Sequence, residues 1–468
     1  MERLETYRRS LAKFPVWQKA VYITARNNTG HFSDRQLLYL HVYAPVLIAY
    51  VEWVLQNAAR TGKRRLYFLA RDAYPMYAAA REICRARGYR IECRYLKVSR
   101  YAMRLPEYHL LGENCVERIC VGGIHVTFEK IMKRAGLTPE ECTEIAALCG
   151  YKPNHILTWQ EIMKLKGTLK SVPQFLLYIY SHSQEAFADA IGYLEQEGMT
   201  EEIPYALVDS GWIGTLQQSM QNLLRTVQKE RSLEGYYFGL YEIPRGEQRS
   251  QYHGFYFEPQ GGIKRKVYFS NCLFETIYSH AEGMTLGYKK KDGSFIPIQS
   301  SSPNPNAGML SENQEALRVY LQEYLRISSE TESFIGGECD KNSACGKDSA
   351  CGKDSAKVCE RLLTDAMGKP QKWEVEAYGG GLFCDDMLEG TMQSVAAALN
   401  KEEIRKQRLL YRIPVMLGLR KGTVKDSAWM EGSIVRAEEM SAAELRSVAM
   451  YKRMLYVRKA LREIAKQR

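Results

Sequence analysis

LYFLARDAYPMYAAA, Leu66 to Ala80, decides the fold. Five mostly apolar residues run directly into an Arg-Asp pair, and an alanine-rich helical pattern follows. A short apolar run that ends in charge and then turns helical is the pattern of a buried strand, a loop and a crossover helix. The next residues extend it. Tyr74–Arg87 reads as a helix closed by Gly88, and Ile91–Val98 as a second strand. The unit returns at 204–290: YALVDSG is a strand whose end is read at Val208, GTLQQSMQNLLRTVQ a helix, and LEGYYFGLY and YHGFYF two further strands. Strands alternating with helices predict an α/β fold, Rossmann-like, with a mostly parallel sheet.

Around this core the sequence divides into four regions. Residues 1–62 read as an N-terminal helical segment. Residues 63–290 form the α/β core, with a helical insertion at 106–203 in which Thr138-Pro139-Glu140-Glu141 is a strong helix start. Residues 291–357 read as a linker with a low-complexity insertion, and 358–468 as a basic helical region. The tandem repeat SACGKDSACGKDSA, Ser343 to Ala356, has the small polar composition of a flexible surface insertion. Cys345 and Cys351 within it, with Cys339 and Cys359 nearby, are weak metal candidates.

The chain has 468 residues, 45% apolar and 25% charged, ample for a large core. LLYLHVYAPVLIAYVEWVLQ, Leu37 to Gln56, is long and apolar, but it carries His41, Pro45 and Glu52 and reads as a buried core helix rather than a membrane span. The opening MERLETYRRSLAKFPVW lacks the apolar stretch and cleavage site of a secretory signal. Twelve cysteines without a CxxC pair predict free thiols in a reducing, cytoplasmic setting. Of the net charge of +11, residues 401–468 contribute +9, from 17 Lys+Arg against 8 Asp+Glu. Two readings of that region stay open: a patch for an anionic membrane surface or phosphate-rich partners, or a solvated helical face. Nucleic-acid binding is disfavoured, because the charge sits in one helical tail without a nucleic-acid motif.

In an open α/β sheet, ligands bind beyond the carboxyl ends of the strands. Asp72 and Asp209 are expected at two such ends, in loops, as catalytic acid/base groups or as ligands for Mg²⁺ or Mn²⁺. Gly211 and Gly214 let the backbone approach a ligand. Ser210 lies in the same loop, and Thr215 would cap the following helix or meet an anion. Trp212 would stack on a sugar or base. Ser99 and Arg100 follow the strand Ile91–Val98. With Arg71, and with Arg104 as added positive charge, they suit a phosphate or carboxylate. Glu275 and His280, in LFETIYSHAEGMTLGY, complete the acid/base candidates. No P-loop, nucleophile elbow, HExxH or dinucleotide fingerprint occurs.

Taken in order, FLARDAYPMY, YLKVSRYAM, LVDSGWIGTLQQSM, GYYFGLY and LFETIYSHAEGMTLGY resemble a bacterial domain of unsettled function. That domain commonly follows a haloacid-dehalogenase-like phosphatase domain in capsule and lipopolysaccharide biosynthesis proteins. The resemblance spans about residues 37–290. In that family the first motif usually reads Phe-Leu-x-Arg-Asp-Gly, where this chain has Ala73, and the later one Val-Asp-Ile-Gly-Trp-x-Gly-Ser. The Asp-x-Asp nucleophile of the phosphatase domain does not occur before Leu37, so phosphatase activity is not expected. The resemblance implies work in surface-polysaccharide synthesis. With the residues above, it leads to the expectation of an enzyme acting on a sugar phosphate or nucleotide-sugar by phosphoryl or glycosyl transfer or hydrolysis. The alternative is a non-catalytic module that recognises a glycan intermediate or a glycosyltransferase.

Overall fold

A computed structural model of the chain describes residues 2–123, 126–229, 232–334, 349–384, 386–388, 390, 392–417, 419–437 and 442–465. At its centre is a five-stranded sheet: β1 (Arg65–Leu69), β2 (Glu92–Leu96), β3 (Tyr205–Trp212), β4 (Gly235–Leu240) and β5 (Tyr252–Phe257). The spatial order is β2-β1-β3-β4-β5, and every pair is parallel. The fold is therefore the α/β, Rossmann-like one expected, with many helices around a parallel sheet.

All five residues of β1 are buried because both faces of the sheet are covered. Side chains alternate along the strand. Leu66 and Phe68 join the core on one face, beneath the helices Asp34–Arg60, Tyr74–Arg87 and Ala307–Phe334. Tyr67 and Leu69 join the core on the other, with Leu194 of the helix Pro173–Gln196 and Met220 of the helix Thr215–Leu224. Gly88, left-handed at φ 67°, closes the first crossover helix.

The apolar helix Asp34–Arg60 is long and apolar enough to cross a membrane, and 89% of its apolar window is buried inside the protein. Two polar residues inside that window, Glu52 and His41, are engaged there. Glu52 pairs with Arg87 at 2.9 Å and accepts from the Tyr324 hydroxyl at 2.8 Å. His41 lies 2.8 Å from the Leu37 carbonyl, and burial pushes its pKa down to about 4, so it is neutral. Pro45 has no N–H to donate one turn back, and the chain just before it widens into a π-helical turn, Tyr39–Tyr43.

Most of the 106–203 insertion has its own core, from Tyr108 to Ile179. Thr138 caps its helix with Glu141 answering in a capping box, and Pro139 stands at the first helical position.

Two regional expectations need correction. Residues 291–357 are not mainly linker. β6 (Thr285–Lys291) and β7 (Ser294–Gln299) form a hairpin, and the 28-residue helix Ala307–Phe334 buries Ala316, Tyr320, Tyr324 and Ile327 in the main core. Among the described residues of this region, only the stretch between them has linker character. The cysteine repeat is also not wholly an insertion. Its end lies in the helix Ser349–Leu363, where Ala356 and Cys359 are buried. Its beginning, 343–348 with Cys345, and Cys339 before it, lie outside the described residues. The nine cysteines whose side chains are described, Cys351 not among them, are free thiols.

Candidate functional site

The order β2-β1-β3-β4-β5 changes direction at β1 and β3. From β1 the chain crosses to β2 on one side, and every later strand is added on the other. The crevice at such a switch point, beyond the strand ends, is where doubly wound sheets hold ligands. Both aspartates picked from the sequence lie there.

Asp72 is in the turn between β1 and the helix Tyr74–Arg87, as expected. Asp209 is not in a loop. β3 runs four residues past Val208, because β4 continues to pair with it: Asp209 with Tyr237, Gly211 with Gly239, Trp212 with Leu240. β1 has already stopped, its last pairing being Phe68 with Val208. Past that point β3 has no strand on its β1 side, and Asp209 is the first residue beyond the pairing with β1. The peptide bonds Ala70–Arg71 and Gly211–Trp212 are cis.

Ser210 joins the two aspartates. Its hydroxyl donates to Asp72 Oδ2 at 3.1 Å, and its backbone N–H donates to Asp209 Oδ1 at 2.9 Å. Burial, and then repulsion from Asp209, push the Asp72 carboxyl up to about 7, against the pull of Arg71, the Ser210 hydrogen bond and Arg100. Burial likewise pushes Asp209 up to about 7, with Glu275 adding to the rise, while the Ser210 and Gly211 N–H groups and Arg100 oppose it. Arg100 thus acts on both carboxyls. It is exposed and makes no hydrogen bond or ion pair among the described residues.

Trp212 is not a stacking platform. It is 9% exposed and enclosed by Tyr241, Phe257, Phe269 and Phe274. Its Nε1 donates to Glu275 Oε1 at 2.6 Å, so it orients that carboxylate. Ser99 is also committed elsewhere. Its hydroxyl accepts from the Ala102 N–H as a helix cap and donates to the Thr285 carbonyl at 2.6 Å. Thr215 is the first helical residue rather than the cap. Gly214 takes the cap position, left-handed at φ 73°, and no side chain caps the helix Thr215–Leu224. A Cβ on Gly214 would lie 2.5 Å from the Tyr252 ring.

Arg71 donates to the Glu282 carbonyl at 3.3 Å. His280 packs against Tyr74, with ring centroids 3.8 Å apart and planes tilted by 36°, and its Nδ1 is 3.5 Å from Glu282 Oε1. Glu282 also accepts from Tyr95 at 2.7 Å, Lys97 at 2.9 Å and Gln299 at 3.0 Å. Burial alone would raise this carboxyl, but the hydrogen bonds from His280, Lys97, Tyr95 and Gln299 outweigh burial and hold it well below the usual carboxylate range.

Three contributors escape a sequence reading. Glu282 draws two of its partners, Tyr95 and Lys97, from the end of β2, far away in the chain. Tyr50, on the apolar helix, has its hydroxyl 2.9 Å from the Asp209 carbonyl and 2.8 Å from the Tyr236 carbonyl. Arg104 registers in the sequence only as extra charge. In the structure it is 8% exposed, its Nη2 donates to the Thr215 hydroxyl at 2.8 Å, and its buried Nε has no hydrogen-bond partner among the described residues. Burial, with Arg100 and Arg118 beside it, brings its pKa down to about 10, outweighing Tyr108 and Glu107. A guanidinium so placed favours an anion at the start of the helix Thr215–Leu224.

Tyr50→Phe should cost about 1–3 kcal/mol of stability, since it takes a donor from two buried carbonyls at the base of the site. Urea denaturation measures this directly, and an unchanged midpoint would mean that the hydroxyl holds nothing in place.

Among the described residues, no group of three or more His, Cys, Asp or Glu is arranged to hold a metal ion. Neither a protein-family model nor a curated protein matches the chain.

Proposed function

We propose that the crevice between β1 and β3 binds a sugar phosphate or nucleotide-sugar, and that Asp72 and Asp209 are the acid–base pair for phosphoryl or glycosyl transfer or hydrolysis on it. The observation that carries this reading is the pair itself: two carboxyls at the switch point, linked through Ser210 and both raised to about 7. At neutral pH such a pair holds a proton part of the time. One carboxyl gives a proton to the leaving oxygen, and its ionised neighbour takes one from the attacking hydroxyl. Phosphate recognition is assigned to Arg104, Arg100 and the uncapped N–H groups at the start of the helix Thr215–Leu224. Glu275, held by Trp212, keeps negative charge beside Asp209 and so favours its protonated form.

Asp72 and Asp209 would also be the ligands for Mg²⁺ or Mn²⁺, whose chemistry would be to neutralise charge on a phosphoryl group. Mg²⁺ commonly takes one or two carboxylates and completes its shell with substrate oxygens and water. Burial raises both carboxyls, and the negative charge that adds to the rise, from Asp209 at Asp72 and from Glu275 at Asp209, is the feature of this site that suits a cation. The cytoplasmic, bacterial setting in surface-glycan assembly rests on the motif resemblance.

A thermal-shift screen of sugar phosphates and nucleotide-sugars, with and without Mg²⁺ or Mn²⁺, tests the reading. A ligand at a hundred times its Kd stabilises the fold by about 2.7 kcal/mol. Arg104→Gln should weaken that ligand at least tenfold, as expected for loss of a charge-assisted contact. No stabilisation by any member of the panel would refute a phosphorylated sugar ligand. Binding without turnover under any of these conditions would make the site that of a recognition module for a glycan intermediate or a glycosyltransferase.

A further inference from the structure

The C-terminal helix Ala442–Ala465 has two faces of opposite character. Its inner face is anchored to the protein. Glu444 accepts from Arg408 at 2.7 Å, Lys452 pairs with Glu431 at 2.6 Å and Lys459 with Glu242 at 2.7 Å. Tyr456 stacks on Tyr241, with centroids 5.3 Å apart and planes 8° apart, and Val448 and Ala460 are buried. These contacts set the rotation of the helix and determine which side faces solvent.

The solvent side carries Met450, Met454, Val457, Leu461 and Ile464, which are 56%, 49%, 42%, 61% and 41% exposed. Their spacing of four, three, four and three residues lines them up as one apolar seam along the helix, about 21 Å long at 1.5 Å per residue. Arg446, Arg453, Arg458 and Arg462 are exposed on the same helix and make no ion pair among the described residues. The two acids of the helix, Glu444 and Glu463, are buried. Every charged residue that this helix exposes is therefore basic. The neighbouring helix Leu409–Met416, whose Arg412 lies over the Tyr451 ring at 4.0 Å, brings the exposed Leu410 alongside and leads on to the exposed Leu419, followed by Arg420 and Lys421.

We infer that this face docks the protein onto an anionic lipid bilayer, with the helix lying in the interfacial plane. The occupant has to be apolar along the seam and negative beside it. A second copy supplies the first but not the second. Paired along this seam, two helices would bring arginine against arginine with no exposed acid to answer them. A bilayer containing anionic lipid supplies both, taking the five apolar side chains at the boundary of headgroups and acyl chains and the arginines at the phosphate level. The crevice chemistry plays no part in this inference, so the two stand or fall separately.

Flotation of the full chain with phosphatidylcholine vesicles, with and without phosphatidylglycerol, is the test. The protein should float only with the anionic vesicles, and less at high salt because surface charge is screened. Arg453→Ala and Arg458→Ala should each lower partitioning about fivefold. The double variant Met454→Gln/Leu461→Gln should abolish flotation. These side chains are exposed, so the melting temperature should hold. If the double variant unfolds, the two arginine variants still decide. Wild type that stays in solution with anionic vesicles overturns the inference. So does arginine-independent, salt-insensitive binding to neutral vesicles. A lipid-free dimer seen by sedimentation equilibrium and broken by Leu461→Gln would assign the face to a second copy and overturn it as well.

Discussion

Asp209→Asn should leave the protein more stable than wild type at pH 8 and nearly inactive. Burial and a neighbouring carboxylate raise Asp209 to about 7, against an ordinary value near 3.9. Between those two values the folded chain holds a proton that the unfolded chain has already lost. Stability therefore falls as pH rises from about 4 to about 7, and above 7 the whole penalty is present. Asparagine carries no charge, so the penalty disappears, while its side-chain oxygen can still accept the Ser210 N–H. Three pH units correspond to an upper figure of about 4 kcal/mol. Urea denaturation at pH 8 should show a gain of that order, and at pH 4 the two proteins should unfold together. Turnover should fall by about 10²–10⁴, the usual contribution of a positioned acid or base. Asp72→Asn should behave alike, and the double variant should gain less than the sum, because the Asp209 carboxylate is part of the Asp72 penalty. A mutant that is less stable at pH 8, or one that retains turnover, would remove Asp209 from the site.

Gly211→Ala should be the most damaging single methyl in the sheet. Gly211 has φ 133°, a conformation that side chains other than glycine's rarely adopt, and a Cβ there would lie 2.1 Å from the Gly239 carbonyl oxygen. The clash is with the backbone of β4, which cannot swing aside as a flexible side chain would. Relief requires β3 to part from β4 at the pairs that carry Asp209 and Trp212. The expected cost is about 3–5 kcal/mol, from backbone strain plus overpacking. Chemical denaturation measures it, and a loss below about 1 kcal/mol would show that this strand end yields freely. Unlike Asp209→Asn, the change should lower stability at every pH, which separates a structural role from a titrating one.

Much of the site was legible because it is written in short stretches. An apolar run closed by Arg71-Asp72, glycines at 211 and 214, and a helix pattern after each strand all report local backbone preference, and local preference survives folding. Trp212 and Ser99 were misread for the opposite reason. Both look like ligand-facing groups in a loop, but an indole among four aromatic rings and a hydroxyl held by the Thr285 carbonyl are products of distant packing.

By itself, then, the sequence determined the strand cores and the crossover helices, features set by spacing over a few residues. It also marked Leu37–Gln56 as a core helix despite its polar residues. Only the tertiary structure decided the remainder. β3 reaches Trp212 because β4 goes on pairing with it, and strand length depends on the partner as much as on propensity. Arg104 becomes a buried cation bonded to the Thr215 hydroxyl, and Glu282 the centre of a hydrogen-bonded cluster, because the fold removes water from them. Burial is a property of the assembled molecule, and no single stretch of chain contains it.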